Sequence, residues 1–349
     1  MWSFRKVANR IDDNRTAQAG QSPVIGLDDV LSAANAIRGI AVRTPLLENR
    51  PLNERMGRRV FIKFEGAQHT GSFKFRGAMN RLSRLNDQER AAGVVAWSSG
   101  NHAQGVAAAA RMLDMPATIV MPADAPAIKM ANTRALGAEI IPYDRRTQSR
   151  EEIATALAKE RGAVLVPSFD DPFIIAGQGT VGLEILQQAT ELGGRLEQVI
   201  VPCGGGGLIA GTATAIKGTC PDIQLFSAEP QAFDDTARSL VSGTREQVPP
   251  DAASICDALL APSPGALTFP INHGLLTAGL AVSDDEVRSA MRFAFNTLKI
   301  VAEPGGSVAL AALLSGKLPA GTGDVAVVIS GANVDPDVFA DIIRAEDPS

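Results

Sequence analysis

Histidine is scarce in this chain. Only His69, His102 and His273 occur, far apart in sequence, which argues against a histidine-rich metal centre. Cysteine is equally sparse. Cys203, Cys220 and Cys256 show no metal-ligand spacing, and their odd number argues against a disulfide framework. A reduced, cytoplasmic setting is the simplest expectation. No apolar run is long enough to cross a bilayer. No basic tract or basic amphipathic face indicates a nucleic-acid or membrane partner, and the net charge of −5 is spread over interspersed residues of both signs. Neither a Ser-His-Asp arrangement nor an HExxH motif is present. What remains is an ordinary globular composition, 45% hydrophobic and 20% charged. At 349 residues the chain exceeds the usual size of one hydrophobic core, so two lobes are expected. The polar opening, MWSFRKVANRIDDNRTAQAGQSP, has no apolar run of signal-peptide length. Residues 1–22 are expected to form a flexible extension.

Periodicity predicts an α/β fold with parallel, doubly wound sheets. GVVAWSS (93–99), ATIVMP (117–122), AEIIPYD (138–144) and AVLVPSF (163–169) read as strands. The helical stretches 101–113, 125–137 and 149–162 alternate with them. The pattern resumes with strands at 198–202, 223–230 and 325–331 and helices at 287–299 and 306–316. Proline, serine and glycine enrich 244–282, which is expected to wrap the surface. The predicted division is 23–92 with 169–345 as a large lobe, 93–168 as a small one, and a ligand cleft between them.

Three turns carry candidate chemistry. GSFKFRGA (71–78) places Lys74 at the start of a helix, after the strand-like VFIKFEG. A lysine near backbone N–H donors and away from a solvated helix face can have the lowered pKa that a Schiff-base amine needs. A lone lysine would read as a surface residue; Gly71, Ser72 and Gly77 indicate a tight backbone path instead. CGGGGLIAG (203–211) joins a strand to a helix, and its four glycines let successive amides turn toward one anion, with phosphate the natural guest. A dinucleotide is the alternative, disfavoured because no ribose-binding acid follows unless Glu229 serves. SSGNHAQG (98–105) is a second strand-to-helix turn, equally readable as a carboxylate-binding loop or a plain helix cap. His102 reads as a structural histidine. AEPQAFDD (228–235) clusters Glu229, Asp234 and Asp235, suited to Mg²⁺ or Ca²⁺ or to a solvated acidic turn. ISGANVD (329–335) ends a strand with Ser330, whose hydroxyl can meet a ring nitrogen without charging it.

These motifs, in this order and together with IIAGQGTVGLEI (174–185), resemble the fold-type II pyridoxal-phosphate enzymes, specifically the serine/threonine dehydratase and serine racemase group. The resemblance runs from about Val24 to Asp335 and implies a tryptophan synthase β-like fold with pyridoxal 5'-phosphate in the cleft. It implies that Lys74 bears the cofactor as a Schiff base and that Phe73 packs on the ring. Asn101 would bond the ring hydroxyl. Gly204, Gly205, Gly206 and Gly207 with the Leu208 amide would hold the phosphate, and Ser330 would face the pyridine nitrogen. Ser98, Ser99, Gly100, Asn101 and His102 would bind the substrate carboxylate. Ser99, as in racemase-like members, would act as acid/base on the face opposite Lys74. Glu229, the Phe233 carbonyl and Asp235 would ligate Mg²⁺ or Ca²⁺, with Phe233 bulkier than the residue usual there. Glu303 and the second glycine of EPGGS (303–307) are expected near the ring. Arg150 aligns with a substrate-facing arginine of some members but reads equally as a surface-helix residue, and Trp97 can face substrate or core. The implied activity is elimination of water from serine, threonine, 3-hydroxyaspartate or phenylserine, giving a 2-oxo acid and ammonia. A serine- or aspartate-type racemase is the alternative within enzymes. A NAD-dependent dehydrogenase and a non-catalytic cofactor-binding paralogue are the alternatives of other classes. A homodimer is implied.

Overall fold

Among the described residues, ten strands fall into two separate sheets. The computed structural model describes residues 24–98, 100–125 and 127–345; the expected extension, 1–22, lies outside them. In chain order the strands are β1 (Leu46–Glu48), β2 (Val60–Phe64), β3 (Val94–Trp97), β4 (Ala117–Pro122) and β5 (Glu139–Tyr143). They continue with β6 (Val164–Leu165), β7 (Leu196–Pro202), β8 (Gln224–Pro230), β9 (Ala278–Val282) and β10 (Asp324–Ile329). One sheet runs β1-β2-β10-β7-β8-β9, the other β5-β4-β3-β6. Every pairing is parallel except that of β1 with β2.

Both faces of each sheet are buried, as parallel sheets require. Successive side chains of a strand point to opposite faces. Val60 and Ile62 accordingly join Val325, Val327 and Ile329 in a core with the helices Asp284–Phe293 and Pro304–Leu314. Phe61 joins Ala326 and Val328 on the other face, against the helices Pro172–Glu191 and Gly207–Thr219. The smaller sheet divides in the same way. Val94, Ala96 and Ile119 face the helices Lys74–Ser83 and Asn101–Met112, whereas Val95, Val120 and Tyr143 face Ala154 and Ala158 of Arg150–Arg161. The expected doubly wound architecture is therefore present.

The segment 244–282 does not merely wrap the surface. It contributes the helix Thr268–Leu275 and the edge strand β9, which pairs with β8 from Phe226↔Ala278 to Pro230↔Val282. Composition misled there because AGLAV is a weak strand signal that becomes a strand by ladder pairing. β6 is also shorter than expected, two residues only. Among the described residues, no helix is long and apolar enough to cross a membrane.

Candidate active site

The site is assembled where the end of β10 is stitched to the loop before Lys74. Phe73 N donates to Ser330 O at 3.1 Å, Ala332 N to Gly71 O at 2.9 Å, and Ser72 pairs antiparallel with Gly331. Lys74 does not follow β2 directly, as the sequence suggested. Two short 3-10 turns, Glu65–Ala67 and His69–Gly71, intervene before the helix Lys74–Ser83 begins. That helix is anchored by Arg76, whose buried guanidinium meets Glu65 at 2.8 Å and Glu184 at 2.7 Å. Lys63 adds a second cation, 2.6 Å from Glu184 and 2.7 Å from Gln188 Oε1. Two cations face two carboxylates, so the charges of this buried cluster are compensated. The arginine of the SFKFRG motif thus fixes the helix that carries the lysine.

Lys74 Nζ donates to Ser168 O at 2.8 Å and lies 5.1 Å from the centroid of the Phe73 ring. Burial pulls its pKa down to about 8, against the opposing pull of Glu303. Desolvation disfavours the ammonium, so the neutral, nucleophilic fraction of this amine near physiological pH is a minority but far larger than in an ordinary lysine. Glu303 is itself pushed up to about 8, by burial first and by Asp257 second.

Asn101 opens the helix Asn101–Met112 and is held at both ends of its carboxamide. Its Nδ2 donates to Glu303 Oε1 at 2.6 Å, and its Oδ1 accepts from Asn333 Nδ2 at 2.7 Å. Gly105, one turn on, is required by close approach: a Cβ there would stand 3.1 Å from the Lys74 carbonyl carbon. The N-cap of this helix is Gly100, without a side-chain cap, and Ser98 Oγ accepts from Gly100 N at 3.2 Å. Ser99 lies outside the described residues. His102 is buried and its Nε2 meets Val166 O at 2.9 Å. Burial lowers its pKa to about 3, with Lys74 adding to the effect, so the ring is neutral and structural, and only its backbone faces the turn. Trp97 packs on the Val95–Val120–Tyr143 cluster, which settles its side of the sheet.

The glycine loop forms a cradle in which side chains have no room. A Cβ at Gly205 would stand 2.4 Å from the Phe169 ring, and Gly206 adopts φ +92°. Thr268 Oγ1 donates to Gly205 O at 2.6 Å. Asp170 holds the adjoining turn by accepting from Ala266 N, Leu267 N and Thr268 N at 2.9, 2.8 and 3.3 Å. The helix Gly207–Thr219 starts at Gly206 without a side-chain cap, whereas Asn49, Asn86, Ser149, Asp171, Ser283 and Asp335 each cap a helix of their own. The amides of Gly205, Gly206, Gly207 and Leu208 have no acceptor among the described residues. Aligned free amides at a helix N-terminus suit a phosphate. Ser330 is buried at the end of β10, its carbonyl accepting from Phe73 N. These groups fit the phosphate and the ring of pyridoxal phosphate.

A model of the family described as pyridoxal-phosphate dependent enzyme matches residues 37–331. The chain belongs to this family. It is 46% identical over 316 residues to an L-threo-3-hydroxyaspartate ammonia-lyase of a Pseudomonas species, covering 90% of this chain and 98% of the relative. It is 41% identical to an L-threo-3-hydroxyaspartate ammonia-lyase of Saccharomyces cerevisiae, over 91% of this chain and 96% of that one. The solved structure of maize serine racemase superposes with a TM-score of 0.86 at 36% identity, covering 91% of this chain and 96% of the other. The fold expected from the motifs is thus that of fold-type II relatives, and the ammonia-lyase class agrees with the named enzymes.

Of the residues expected from sequence, Phe73 meets Ser330 through the backbone, Lys74 meets Ser168, next to the Phe169 that packs on the glycine loop, and Asn101 meets Glu303. Ser168, Asp170, Thr268 and Asn333 were not singled out. Asn333 alone had a signal, its place in ISGANVD. Behind the loop stand Glu229, ending β8, and Asp235, opening the helix Asp235–Ser242. Glu229 accepts from Thr236 N at 3.0 Å and Ala237 N at 2.8 Å, while the buried Asp235 Oδ2 has no partner among the described residues. Burial raises both carboxyls, Glu229 to about 8 with Asp235 adding, and Asp235 to about 7. Among the described residues no group of three or more His, Cys, Asp and Glu side chains could hold a metal; the expected set has only two, completed by the Phe233 carbonyl.

Proposed function

We propose that this enzyme eliminates water from L-threo-3-hydroxyaspartate, yielding oxaloacetate and ammonia. Two relatives of near-equal length bear that activity in their names, and their similarity supports this substrate over serine or threonine. The observation that carries the chemistry is the desolvated Lys74 amine set between the Asn101 turn and the free amides of the glycine loop.

Pyridoxal phosphate, held by Lys74, Phe73, Asn101, Gly204 to Leu208 and Ser330, supplies the electron sink for a carbanion at Cα. The uncapped turn from Ser98 to His102 binds the substrate carboxylate through its amides and positions Cα over Lys74. Lys74, neutral near its lowered pKa, removes the α-proton. The same amine then holds the proton that the departing hydroxyl needs to leave as water. Ser330 would meet the ring nitrogen of the bound cofactor with an uncharged hydroxyl, and so would leave that nitrogen uncharged, which suits prompt loss of the β-hydroxyl. Ser99 serves the opposite face and admits some racemisation. Glu229, the Phe233 carbonyl and Asp235 hold Mg²⁺ or Ca²⁺, supported by the unpartnered Asp235 Oδ2. A homodimer in a reduced, cytoplasmic setting completes the proposal; Cys203, Cys220 and Cys256 are all free thiols.

The test is a substrate panel on purified holoenzyme, assayed for 2-oxo acid, ammonia and mirror-image amino acid. The expected result is the highest kcat/KM for L-threo-3-hydroxyaspartate. A mirror amino acid as main product would favour the racemase instead, and ketoacid chiefly from serine or threonine would displace the proposed substrate.

A further inference from the structure

One ion pair joins the two sheets' surroundings across the cleft. Lys129 stands on the helix Ala127–Ala135, which follows β4 of the smaller sheet. Asp257 opens the 3-10 turn Asp257–Leu259, whose Leu259 lies in the core of the larger one. Lys129 Nζ is 2.6 Å from Asp257 Oδ2. This turn sits directly on the site. A Cβ at Gly204, where the phosphate loop begins, would stand 3.2 Å from Leu259 Cα. A Cβ at Gly305, in the EPGGS segment, would stand 3.1 Å from Ala258 Cβ. The electrostatics agree with that placement: Lys129 and Lys74 both pull the Glu303 carboxyl down while Asp257 pushes it up. Glu303 in turn accepts from Asn101.

The partners are unequally placed. The Lys129 side chain is 17% exposed and that of Asp257 is 54% exposed. A half-solvated carboxylate regains water when it lets go, so such a pair contributes little net stability and is exchanged at small cost. The ammonium has no such refuge and favours another anion in place of the one it loses. Arg150, the cation that the sequence offered for this role, is exposed and makes no ion pair or hydrogen bond among the described residues.

We propose that Lys129 receives the side-chain carboxylate of a dicarboxylic substrate, and that Asp257 holds the ammonium in place until that carboxylate displaces it. The proposal rests on 3-hydroxyaspartate as substrate and names the group that separates it from serine and threonine. A cation at the rim rewards a carboxylate on Cβ and gives nothing to a methyl group or hydrogen there.

The experiment titrates succinate, an unreactive four-carbon dicarboxylate, into holoenzyme by calorimetry. Lys129→Gln should weaken binding at least tenfold, Lys129→Arg should restore most of it, and Asp257→Asn should bind as tightly as wild type or more so. A mere latch between the lobes predicts that Lys129→Gln and Asp257→Asn shift affinity in the same direction, and that result overturns the assignment. So does unchanged affinity in Lys129→Gln, or a loss that follows Arg150→Gln instead. In turnover, Lys129→Gln should lower the ratio of kcat/KM for L-threo-3-hydroxyaspartate to that for serine at least tenfold. If wild type makes no ketoacid from hydroxyaspartate, the substrate is wrong; Lys129-dependent succinate binding is read separately and does not fall with it.

Discussion

Asn333 and Asn101 meet amide to amide, with Asn333 Nδ2 2.7 Å from Asn101 Oδ1. The same Asn333 nitrogen donates to Thr70 O at 2.7 Å, so its orientation is fixed by two acceptors. Asn101 can therefore present only Nδ2 toward Glu303 and the ring side. Replacing the donor by an acceptor, Asn333→Asp, sets a carboxylate against both oxygens. A buried hydrogen bond lost in this way costs about 1–3 kcal/mol. Pyridoxal phosphate affinity, titrated into apoprotein by absorbance, should fall about tenfold or more by the same principle. Unchanged affinity and an unchanged visible band would show that Asn101 needs no such partner.

Lys74 gives a pH prediction whose sign follows from its environment. Its pKa lies near 8 in place of the ordinary 10.5, because burial disfavours the ammonium. The neutral amine is the form that attacks an aldehyde. The rate at which pyridoxal phosphate reconstitutes the apoprotein should therefore rise with pH through a midpoint near 8 and level off above it. A rate still climbing toward pH 10 would mean an unperturbed lysine. Lys74→Ala should leave no borohydride-stable label and no ketoacid formation.

Glu303 shares that pH range with the lysine. Its carboxyl is neutral below about 8 and ionises above it, and the resulting charge favours the Lys74 ammonium. Glu303→Gln keeps an acceptor for Asn101 Nδ2 and removes the ionisation. The variant should retain most activity at pH 7, while the Lys74 midpoint in reconstitution moves to lower pH. A midpoint unmoved by Glu303→Gln would remove Glu303 as the opposing charge.

Much of this site was legible because its chemistry resides in backbone turns that glycine and small polar residues announce. CGGGG, SSGNH and SFKFRG each stand where the chain leaves or enters a regular element, and the family resemblance joined them. Ser168 was invisible for the opposite reason: it acts through a carbonyl, which every residue has. Asp170 caps a turn about a hundred residues on, a relation that no local window contains. The strands' order was hidden as well, since β2 pairs with β10 and a parallel neighbour leaves no turn signature in between. IAGQGTVGLEI lies within a long helix, Pro172–Glu191, despite three glycines that lower its intrinsic propensity. Tertiary packing decides there, with Glu184 of that motif paired to Arg76 of another.

The proposed cation site has a check that does not use activity. Glu229 and Asp235 are both buried, and Asp235 Oδ2 has no partner. Above about pH 8 both carboxyls are charged, and at that pH Asp235→Asn removes one of two neighbouring negative charges. In chelator the variant should melt above wild type, by roughly 1–2 °C for each kcal/mol relieved. Added Mg²⁺ or Ca²⁺ should then raise the melting temperature of wild type but not of the variant. Equal responses to the ions would remove Glu229, Phe233 and Asp235 as ligands.

The role proposed for Ser99 would separate two chemistries that share one lysine. Elimination from the L-isomer needs a base on the Lys74 face only, whereas racemisation needs a proton donor on the other. Ser99→Ala should therefore abolish formation of the mirror amino acid and turnover of D-substrates while leaving ketoacid formation from L-threo-3-hydroxyaspartate within a few-fold of wild type. Chiral chromatography of the residual substrate and a coupled ketoacid assay measure the two outputs on the same sample. Should Ser99→Ala instead abolish ketoacid formation from every L-substrate, the serine belongs to the elimination itself and the opposite-face assignment is wrong.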